Sequence, residues 1–390
     1  MKEKKNLMAH VIVSQGYPGT FGKYRMQAWV ENVNRLLIDE GHKVALFTCG
    51  KNSESFTKNG VEVIVSKRLR VLNDPFSLDI LMRVLLSKKP SITIIHGLQH
   101  LLTLFSLIIC FLRKVPVVVI VHGLYLSNSK LLSSRDRLLK LLLRVFKDSY
   151  LVIALTSYDR RFLLKKWGIS PDRIRVTKVF LYLSQEELQK IEQIMKRNQE
   201  RIMNASDKVR FLYIGRLDHH QKRVDHLIKI FYDFLKMREK KYPDVELVVV
   251  GRGPLKWLLV EMVRKLGIQD YVKMVGAVSE EEKWLYYLTS TVLVLTSKFE
   301  GVPRVIFEAF ATGKVVMAPN ICGLNEVIQN GINGFLFNND EEFLKILNSV
   351  VTDGRQLFAM QNANRALTIE KFNLEANKEE MCDIIRDYPN

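Results

Sequence analysis

Short apolar runs alternate with longer amphipathic stretches along the whole chain. The short runs are rich in β-branched residues and predict buried strands, whereas the longer stretches repeat their apolar positions with a helical period. In the first half the predicted strands cover 9–13, 44–48, 61–65, 92–96, 116–121 and 150–155, and the clearest helices cover 23–39, 78–87, 99–112 and 130–146. This alternation indicates an α/β fold with parallel sheets.

A second series of strands and helices follows a polar stretch at 184–208. Its predicted strands cover 209–214, 245–250, 271–275, 292–296, 314–318 and 335–337, and its helices cover 224–238, 254–266, 280–288 and 303–312. A chain of 390 residues is also too long for one ordinary core. We therefore predict a first domain at 1–183, a linker at 184–208, a second domain at 209–354 and a helical C-terminal segment at 355–390.

Charge is distributed unevenly between the two halves. Residues 1–200 contain 33 Lys and Arg against 16 Asp and Glu, whereas residues 201–390 contain 26 against 25. Nearly all of the net charge of +18 therefore belongs to the first half. This asymmetry favours an anionic partner for that half, such as nucleic acid, an anionic membrane or a phosphorylated acceptor, although solubility alone is an alternative reason.

Several classes of protein are disfavoured by composition. The four cysteines show no metal-like spacing, which is typical of reduced thiols in a cytoplasmic protein. The start of the chain lacks the apolar region of a signal peptide. The apolar stretch from Leu98 to Leu112 is too short to span a bilayer unaided, and we expect a buried helix there.

Two strand–loop–helix segments in the second half carry candidate chemistry. In the first, the apolar run that ends at Leu295 leads to Glu300, the turn Gly301-Val302-Pro303 and a helix that contains Glu308. The free N–H groups of a helix N-terminus favour a phosphate, and carboxylates nearby can accept hydrogen bonds from sugar or ribose hydroxyls.

The second segment contains Arg216 and Lys222 in a loop that follows the strand 209–214. A guanidinium and an ammonium group can stabilise a leaving diphosphate, because its negative charge grows in the transition state. The neighbouring Arg223 is an alternative to Lys222 for the second cation. A basic loop at a domain edge without a catalytic role is the other interpretation.

Glu300 and Glu308, with seven residues between them, resemble the paired-glutamate signature of retaining glycosyltransferases of the GT-B fold, family 4. The resemblance implies two Rossmann-like domains that face each other across a cleft, with the donor nucleotide sugar bound mainly to the second domain and the acceptor to the first. It further implies front-face displacement, Glu300 on donor sugar hydroxyls and Glu308 on the ribose. The C-terminal segment would cross back to the first domain.

The same resemblance implies that Arg216 and Lys222 stabilise the leaving diphosphate without a metal cofactor. The absence of an Asp-x-Asp motif, which holds a divalent ion in the other main glycosyltransferase fold, agrees with this expectation. Further donor-binding positions are expected in glycine turns that follow strands, where the backbone can approach the nucleotide. These positions are Gly251, Gly253, Gly276 and Val278.

In the first half the resemblance extends to a glycine loop and a histidine. The loop with Gly19 and Gly22 follows the first strand and would close over the donor diphosphate. His122 ends a strand and resembles the histidine that hydrogen-bonds the transferred sugar. His96, at the end of the preceding strand, is the competing candidate.

A basic amphipathic stretch at 130–147 suggests how the acceptor is reached. Its basic positions recur with helical spacing, and its apolar positions are expected on the opposite face. The stretch either contacts an anionic membrane or is an ordinary solvated helix surface. The basic positions are Arg137, Lys140, Arg144 and Lys147, and the apolar positions are Leu138, Leu141, Leu142, Val145 and Phe146.

We therefore predict a glycosyltransferase that acts on a lipid-linked or cell-surface glycan at the cytoplasmic face of a membrane. A second GT-B-shaped enzyme class, a sugar epimerase or a phosphorylase, is an alternative, but no lysine has a convincing context for pyridoxal phosphate. Charge alone suggests a nucleic-acid-binding protein. That class needs interleaved aromatic and basic residues, which this chain lacks, and no nucleic-acid partner is expected.

Overall fold

A computed structural model describes residues 7–13, 28–71, 74–97, 100–122, 134–205, 208–237 and 245–388. The chain divides into two compact units, which consist of Met1–Leu181 with Asn377–Asn390 and of Tyr182–Ala376. Each unit contains its own largely parallel sheet, so the predicted α/β class with two parallel sheets is confirmed.

The sheet of the first unit places the ends of two central strands side by side. Its strands are β1 (Leu7–Val13), β2 (His42–Gly50), β3 (Glu54–Lys58), β4 (Val61–Lys67), β7 (Ile92–His96), β8 (Val117–Val121), β9 (Tyr150–Ala154) and β10 (Ile174–Val176), and a separate hairpin contains β5 (Leu69–Val71) and β6 (Asp74–Phe76). The strand order is β10-β9-β8-β7-β1-β2-β4-β3, and only the pair β3 and β4 is antiparallel. Because β7 and β8 are parallel neighbours, His96 and His122 meet at one sheet edge.

Helices cover this sheet and bury its apolar residues. They are α1 (Ala28–Asp39), α2 (Leu78–Leu86), α3 (Leu101–Leu112), α4 (Ser134–Val145) and α5 (Ser157–Phe162). Helices α2, α3 and α4 share one core with alternate residues of β8. The apolar stretch that begins near Leu98 thus forms a packed core helix, α3, as predicted. Among the described helices, none has both the length and the apolarity needed to cross a bilayer.

The sheet of the second unit is entirely parallel and brings two distant loops together. Its strands are β11 (Val209–Ile214), β12 (Val245–Val250), β13 (Val272–Gly276), β14 (Val292–Val294), β15 (Val315–Pro319) and β16 (Gly334–Phe337). Their order is β13-β12-β11-β14-β15-β16. The pairing of Phe211 with Val292 makes β11 and β14 neighbours, so the loops that follow these strands lie at the same sheet edge.

The polar stretch at 184–208 forms helices that belong to the second unit. Helix α6 (Gln185–Arg197) begins at a capping box of Ser184 and Glu187, and α7 (Gln199–Asn204) follows. The other helices of the unit are α8 (Val224–Met237), α9 (Lys256–Lys265), α10 (Glu280–Leu288), α11 (Val305–Ala311), α12 (Asp340–Thr352) and α13 (Gly354–Glu370). A half-buried ion pair of 2.6 Å between Glu187 and Arg304 connects α6 with the start of α11 in this unit.

The C-terminal segment contains a break that the sequence pattern did not indicate. Helix α13 ends at Glu370, and the last helix, α14 (Leu374–Asp387), begins where the side chain of Asn373 accepts a hydrogen bond of 2.9 Å from the Glu375 N–H. From Asn377 onward the chain belongs to the first unit. There Arg386 donates to both carboxylate oxygens of Glu40, at 2.7 and 2.8 Å.

Candidate active site

The carboxylate of Glu300 is buried in the loop that follows β14. The Ser297 hydroxyl donates to its Oε1 atom at 2.6 Å, and the Lys222 ammonium group contacts the same oxygen. The Gln221 amide lies 3.3 Å from the other oxygen, Oε2. The side chain of Glu300 is 5% exposed and that of Lys222 is 18% exposed. The structure thus brings together Glu300 and Lys222, which are far apart in sequence.

The backbone carbonyls of the loop after β11 accept hydrogen bonds from the loop after β14. The Thr296 hydroxyl donates to the carbonyl of Lys222 at 3.0 Å, and the Lys298 N–H donates to the carbonyl of Gln221 at 2.8 Å. These bonds fix the β11 loop independently of the ion pair between Lys222 and Glu300. The two loops therefore lie together along one edge of the site.

Arg216 lies in the β11 loop with its guanidinium held on two sides. Its Nε atom donates to Asp218 at 2.7 Å, and a terminal nitrogen donates to the Gln221 side-chain oxygen at 2.9 Å. The Arg216 side chain remains 61% exposed, so it is open to an incoming anion. Burial alone would raise the pKa of Asp218, but the N–H groups of Gln221 and Lys222 together with Arg216 hold this pKa below its usual range.

Lys222 and Arg223, the two candidates for the second cation, occupy different environments in the structure. Lys222 reaches Glu300, whereas Arg223 occupies a left-handed backbone conformation with φ of 51° immediately before α8. That conformation turns the chain into the helix. His219, in the same loop, is exposed, and its Nδ1 atom lies 2.7 Å from Asp225 Oδ2.

Glycine turns after β11 and β12 contact each other through their backbones. A Cβ atom on Gly251 would lie 1.8 Å from the carbonyl oxygen of Gly215, and one on Gly253 would lie 2.1 Å from that of Leu217. Only glycine fits at both positions. Gly276, with φ of 91°, ends β13, and its carbonyl accepts from the Gly251 N–H at 2.7 Å. Val278 follows this turn and is partly buried.

The turn Gly301-Val302-Pro303 is packed tightly against the loop after β15. A Cβ atom on Gly323 would lie 1.8 Å from the carbonyl oxygen of Gly301, so this contact also requires glycine. Val302 is buried, and the Pro303 carbonyl accepts from the Ile306 N–H at 3.2 Å at the start of α11. The turn predicted from the sequence is therefore present, and helix α11 begins two residues after the proline.

Glu308 lies inside the second unit and both of its carboxylate oxygens accept hydrogen bonds. Lys283 donates to one oxygen at 2.8 Å and the Tyr287 hydroxyl donates to the other at 2.9 Å. Arg304 lies 3.5 Å away and also binds Glu187. Burial opposes ionisation, but Lys283 and Arg304 together hold the pKa of Glu308 below its usual range. The carboxylate thus belongs to a buried charge network.

His122 lies in the first unit, and the competing candidate His96 is its hydrogen-bond partner. Their rings approach to 3.1 Å between Nε2 of His122 and Nδ1 of His96, and Trp29 packs against both. Burial lowers the pKa of His122 to about 4, and burial together with His122 lowers that of His96. Both rings are therefore neutral near pH 7, and one must donate to the other. The predicted loop positions Gly19 and Gly22 lie outside the described residues.

Helix α4 differs from the predicted arrangement of its faces. Leu141 and Val145 are 58% and 64% exposed, on the same side as Arg137 and Arg144. The expected separation of apolar and basic faces is therefore wrong, because the helix has two apolar stripes and only one can face the sheet. Leu139 and Leu143 are buried, Leu142 and Phe146 pack partly against the core, and Leu138 is exposed.

Several residues of this site carried no sequence signal. Asp218 and Gln221 hold Arg216, and Ser297 holds Glu300. Lys283 and Tyr287 hold Glu308. The contacts of Gln221 with Glu300, and of Lys283 and Tyr287 with Glu308, join residues that are distant in the chain, so only the folded structure reveals them. No group of three or more potential metal ligands occurs within the described ranges.

Two sequence families match most of the chain between them. Residues 26–178 match Glycosyltransferase Family 4, and residues 195–367 match Glycosyl transferases group 1. An uncharacterized glycosyltransferase from Haemophilus influenzae is 30% identical over 167 residues, which cover 42% of this chain and 45% of that protein. The chain thus spans less than half the length of that relative.

Longer alignments lead to the same group of enzymes. The alpha-monoglucosyldiacylglycerol synthase of Streptococcus pneumoniae is 25% identical over 306 residues, which cover 75% of this chain and 68% of that protein. The structure of Anabaena HepE in complex with UDP-glucose superposes with a TM-score of 0.70 at 19% identity, over 98% of this chain and all of that one. This chain therefore belongs to the glycosyltransferases of the GT-B fold, within the group related to family 4.

Proposed function

We propose that this protein is a retaining glycosyltransferase that moves a sugar from a nucleotide-sugar donor to a lipid-linked or cell-surface glycan acceptor. The observation that carries the proposal is the joint placement of Arg216, Lys222 and Glu300 by the loops after β11 and β14. The carboxyl ends of parallel strands are where open α/β sheets bind ligands.

The two cations suit a leaving nucleoside diphosphate. The exposed Arg216 guanidinium can bind two phosphate oxygens, and Lys222 can add a point charge. Arg216 is held before the donor arrives, and Lys222 exchanges its contact with Glu300 for one with the diphosphate, so that both cations face the negative charge that develops in the transition state. We propose that these side chains, without a resident metal ion, supply the stabilisation.

Glu300 is proposed to accept hydrogen bonds from donor sugar hydroxyls. Its oxygens already accept from Ser297, Lys222 and Gln221, which suits an orienting carboxylate better than a covalent nucleophile. This arrangement supports front-face displacement, in which the leaving diphosphate helps to take the acceptor proton. Glu308 is proposed to bind the ribose, since its Oε2 atom accepts from the Tyr287 hydroxyl and keeps a further lone pair, whereas Oε1 accepts from Lys283 and Arg304.

His122 is proposed to hydrogen-bond the transferred sugar from the first unit. Its low pKa, caused by burial, keeps the ring neutral at physiological pH, so it can serve uncharged hydroxyls. The glycine positions Gly251, Gly253, Gly276 and Gly301, together with Val278, Val302 and Pro303, are proposed to shape the donor site. Gly19 and Gly22 remain proposed donor contacts on sequence grounds.

The acceptor proposal is supported by charge and by the exposed face of α4. Leu138, Leu141 and Val145 are exposed there beside two arginines, and apolar and basic groups together favour an anionic lipid surface. One relative is by name a glycolipid synthase, the alpha-monoglucosyldiacylglycerol synthase of Streptococcus pneumoniae. We propose peripheral association with the cytoplasmic face of the cell membrane.

A donor screen tests the proposed activity. The protein is incubated with UDP-, ADP- and GDP-linked sugars and lipid extracts, and the release of nucleoside diphosphate is measured. Wild type should release diphosphate from at least one donor, whereas the Glu300→Gln variant should be nearly inactive although it remains folded. Absence of release from every donor, or equal rates for both proteins, would contradict the proposal. Salt-sensitive DNA binding without nucleotide binding would favour the nucleic-acid alternative.

A further inference from the structure

The side chain of Gln221 connects the exposed cation of the site with its buried carboxylate. Its Oε1 atom accepts from Arg216 at 2.9 Å, and its Nε2 atom lies 3.3 Å from Glu300 Oε2 and 3.4 Å from the carbonyl of Phe299. The side-chain amide therefore uses its acceptor and its donor in opposite directions.

The backbone of Gln221 is fixed as firmly as its side chain. Its N–H donates to Asp218 Oδ1 at 2.7 Å, and its carbonyl accepts from the Lys298 N–H at 2.8 Å. Asp218 also binds Arg216, so the carboxylate and the amide hold the guanidinium from two sides. A side chain anchored at both backbone groups loses little further entropy when it binds its partners.

An uncharged amide suits this place for a physical reason. A carboxylate at position 221 could still accept from Arg216, but it would place a negative charge against Glu300. A cationic side chain could donate to Glu300, but it would repel Arg216. A glutamine offers one acceptor and one donor group on the same planar end, and it links the two charged residues without a charge of its own.

Lys222 and Gln221 contact different oxygens of Glu300. Lys222 shares Oε1 with Ser297, whereas Gln221 faces Oε2. When Lys222 turns towards a diphosphate, Glu300 therefore retains one donor at each oxygen. Its carboxylate can keep its orientation while the ammonium group changes partners.

We propose that Gln221 is a positioning residue for sugar transfer. Its side chain holds the Arg216 guanidinium and the Glu300 carboxylate in fixed positions relative to each other while Lys222 moves to the leaving group. The inference rests on the proposed glycosyltransferase function. Gln221 acts through neighbouring residues, so removal of its side-chain amide should affect the rate of transfer more than the affinity for the donor.

Three variants test this role. Gln221→Met keeps the length of the side chain and removes both hydrogen bonds, whereas Gln221→Glu keeps only the acceptor for Arg216. Gln269→Met, at an exposed position of the same unit, is the matched control. Rates and donor KM are measured with whichever of UDP-glucose, ADP-glucose and GDP-mannose wild type turns over.

We expect kcat of Gln221→Met to fall about 10-fold, as the loss of a hydrogen bond to a charged group often does, with donor KM changed by less than about 3-fold. Gln221→Glu should not recover wild-type kcat and should melt below wild type because its carboxylate faces Glu300, whereas Gln221→Met and Gln269→Met should remain folded at the assay temperature. Full activity of either Gln221 variant, or a loss confined to KM, would overturn the proposal.

A crystal structure of Gln221→Met separates this inference from the proposed function. We expect the Glu300 carboxylate or the Arg216 guanidinium to leave its wild-type position, whatever the activity of the protein. Unchanged positions of both groups would overturn the positioning role even if wild type is an active transferase. If wild type transfers no sugar, the proposed function fails, and the crystallographic comparison still decides whether Gln221 positions these groups.

Discussion

Removal of the Lys222 ammonium group should lower both activity and stability, for different reasons. Lys222→Met deletes one of the two cations proposed to face the leaving diphosphate, and the loss of one such transition-state contact typically lowers kcat about 100-fold or more. The same change leaves Glu300, which is 5% exposed, without its charged partner. A buried carboxylate that loses a cation destabilises the folded state.

The contacts in the structure set the size of the stability effect. Loss of one partner from a fully buried pair costs about 3–5 kcal/mol, whereas an exposed pair contributes at most about 1 kcal/mol. The Lys222 side chain is 18% exposed, and Glu300 keeps the Ser297 hydroxyl at 2.6 Å, so we expect a cost of about 2 kcal/mol. For a domain of this size that corresponds to a decrease in melting temperature of roughly 4–8 °C.

A double variant distinguishes the cost of leaving a buried charge unpaired from a nonspecific loss of stability. Glu300→Gln alone should cost less than Lys222→Met, because the lysine stem can carry its charge to water whereas Glu300 cannot reach it. The variant with both changes should regain about half of the lost melting temperature and remain inactive. Differential scanning fluorimetry and diphosphate release measure the two effects. If Lys222→Met melts within about 1 °C of wild type, or if the double variant melts no higher than Lys222→Met, the ion pair between Lys222 and Glu300 does not stabilise the fold.

Four further predictions concern the cations, the backbone, the membrane and the histidines. Arg216→Ala should lower kcat about 100-fold while a chelator has little effect, and loss of activity on chelation that a divalent ion restores would refute the metal-free mechanism. Arg223→Gly should raise the free energy of unfolding by about 1 kcal/mol, because glycine adopts a positive φ without strain; a denaturant titration that shows no gain would count against this. Binding to anionic vesicles should weaken as the salt concentration rises. Binding should also weaken when Gln replaces the basic residues Arg137, Lys140, Arg144 and Lys147, or when Ser replaces the apolar residues Leu138, Leu141 and Val145. The same Gln substitution at four exposed control positions, Lys229, Lys265, Lys345 and Arg355, should leave binding unchanged. Burial lowers the pKa of His10 from 6.5 to about 4. Between these pH values the unfolded state binds more protons than the folded state, so the stability of the fold should fall as the pH decreases from 6.5 to 4. Thermal melts across that pH range should show a weaker pH dependence for His10→Leu than for wild type.

The order of strands and helices could be predicted because periodicity is a local property. The parallel strands β8 and β12 are short apolar runs, and the helix between Leu98 and Leu112 is apolar enough to be a core element. The face of α4 could not be predicted in this way. Its stripes through Leu139 and through Leu138 are both apolar, and only packing against the sheet decides which one is buried.

The charged residues of the candidate site were found from the sequence, but their partners were not. Glu300 and Lys222 stood out through strand–loop–helix context and through resemblance to a family. Gln221 and Ser297 did not, because their importance depends on the adjacency of β11 and β14, which are separated by two strands in the sequence but not in the sheet. Local patterns cannot specify such long-range pairing.

The anomeric configuration of the first product most directly tests the proposal of retaining sugar transfer. Proton NMR can follow an α-linked nucleotide sugar that the protein consumes, with water as the acceptor, before the free sugar equilibrates between its anomers. We predict that the α anomer appears first, at the same rate as the nucleoside diphosphate, and that Lys222→Met forms it at least about 100-fold more slowly. Initial formation of the β anomer would contradict a retaining mechanism, and consumption at an equal rate by Lys222→Met would contradict the assigned site.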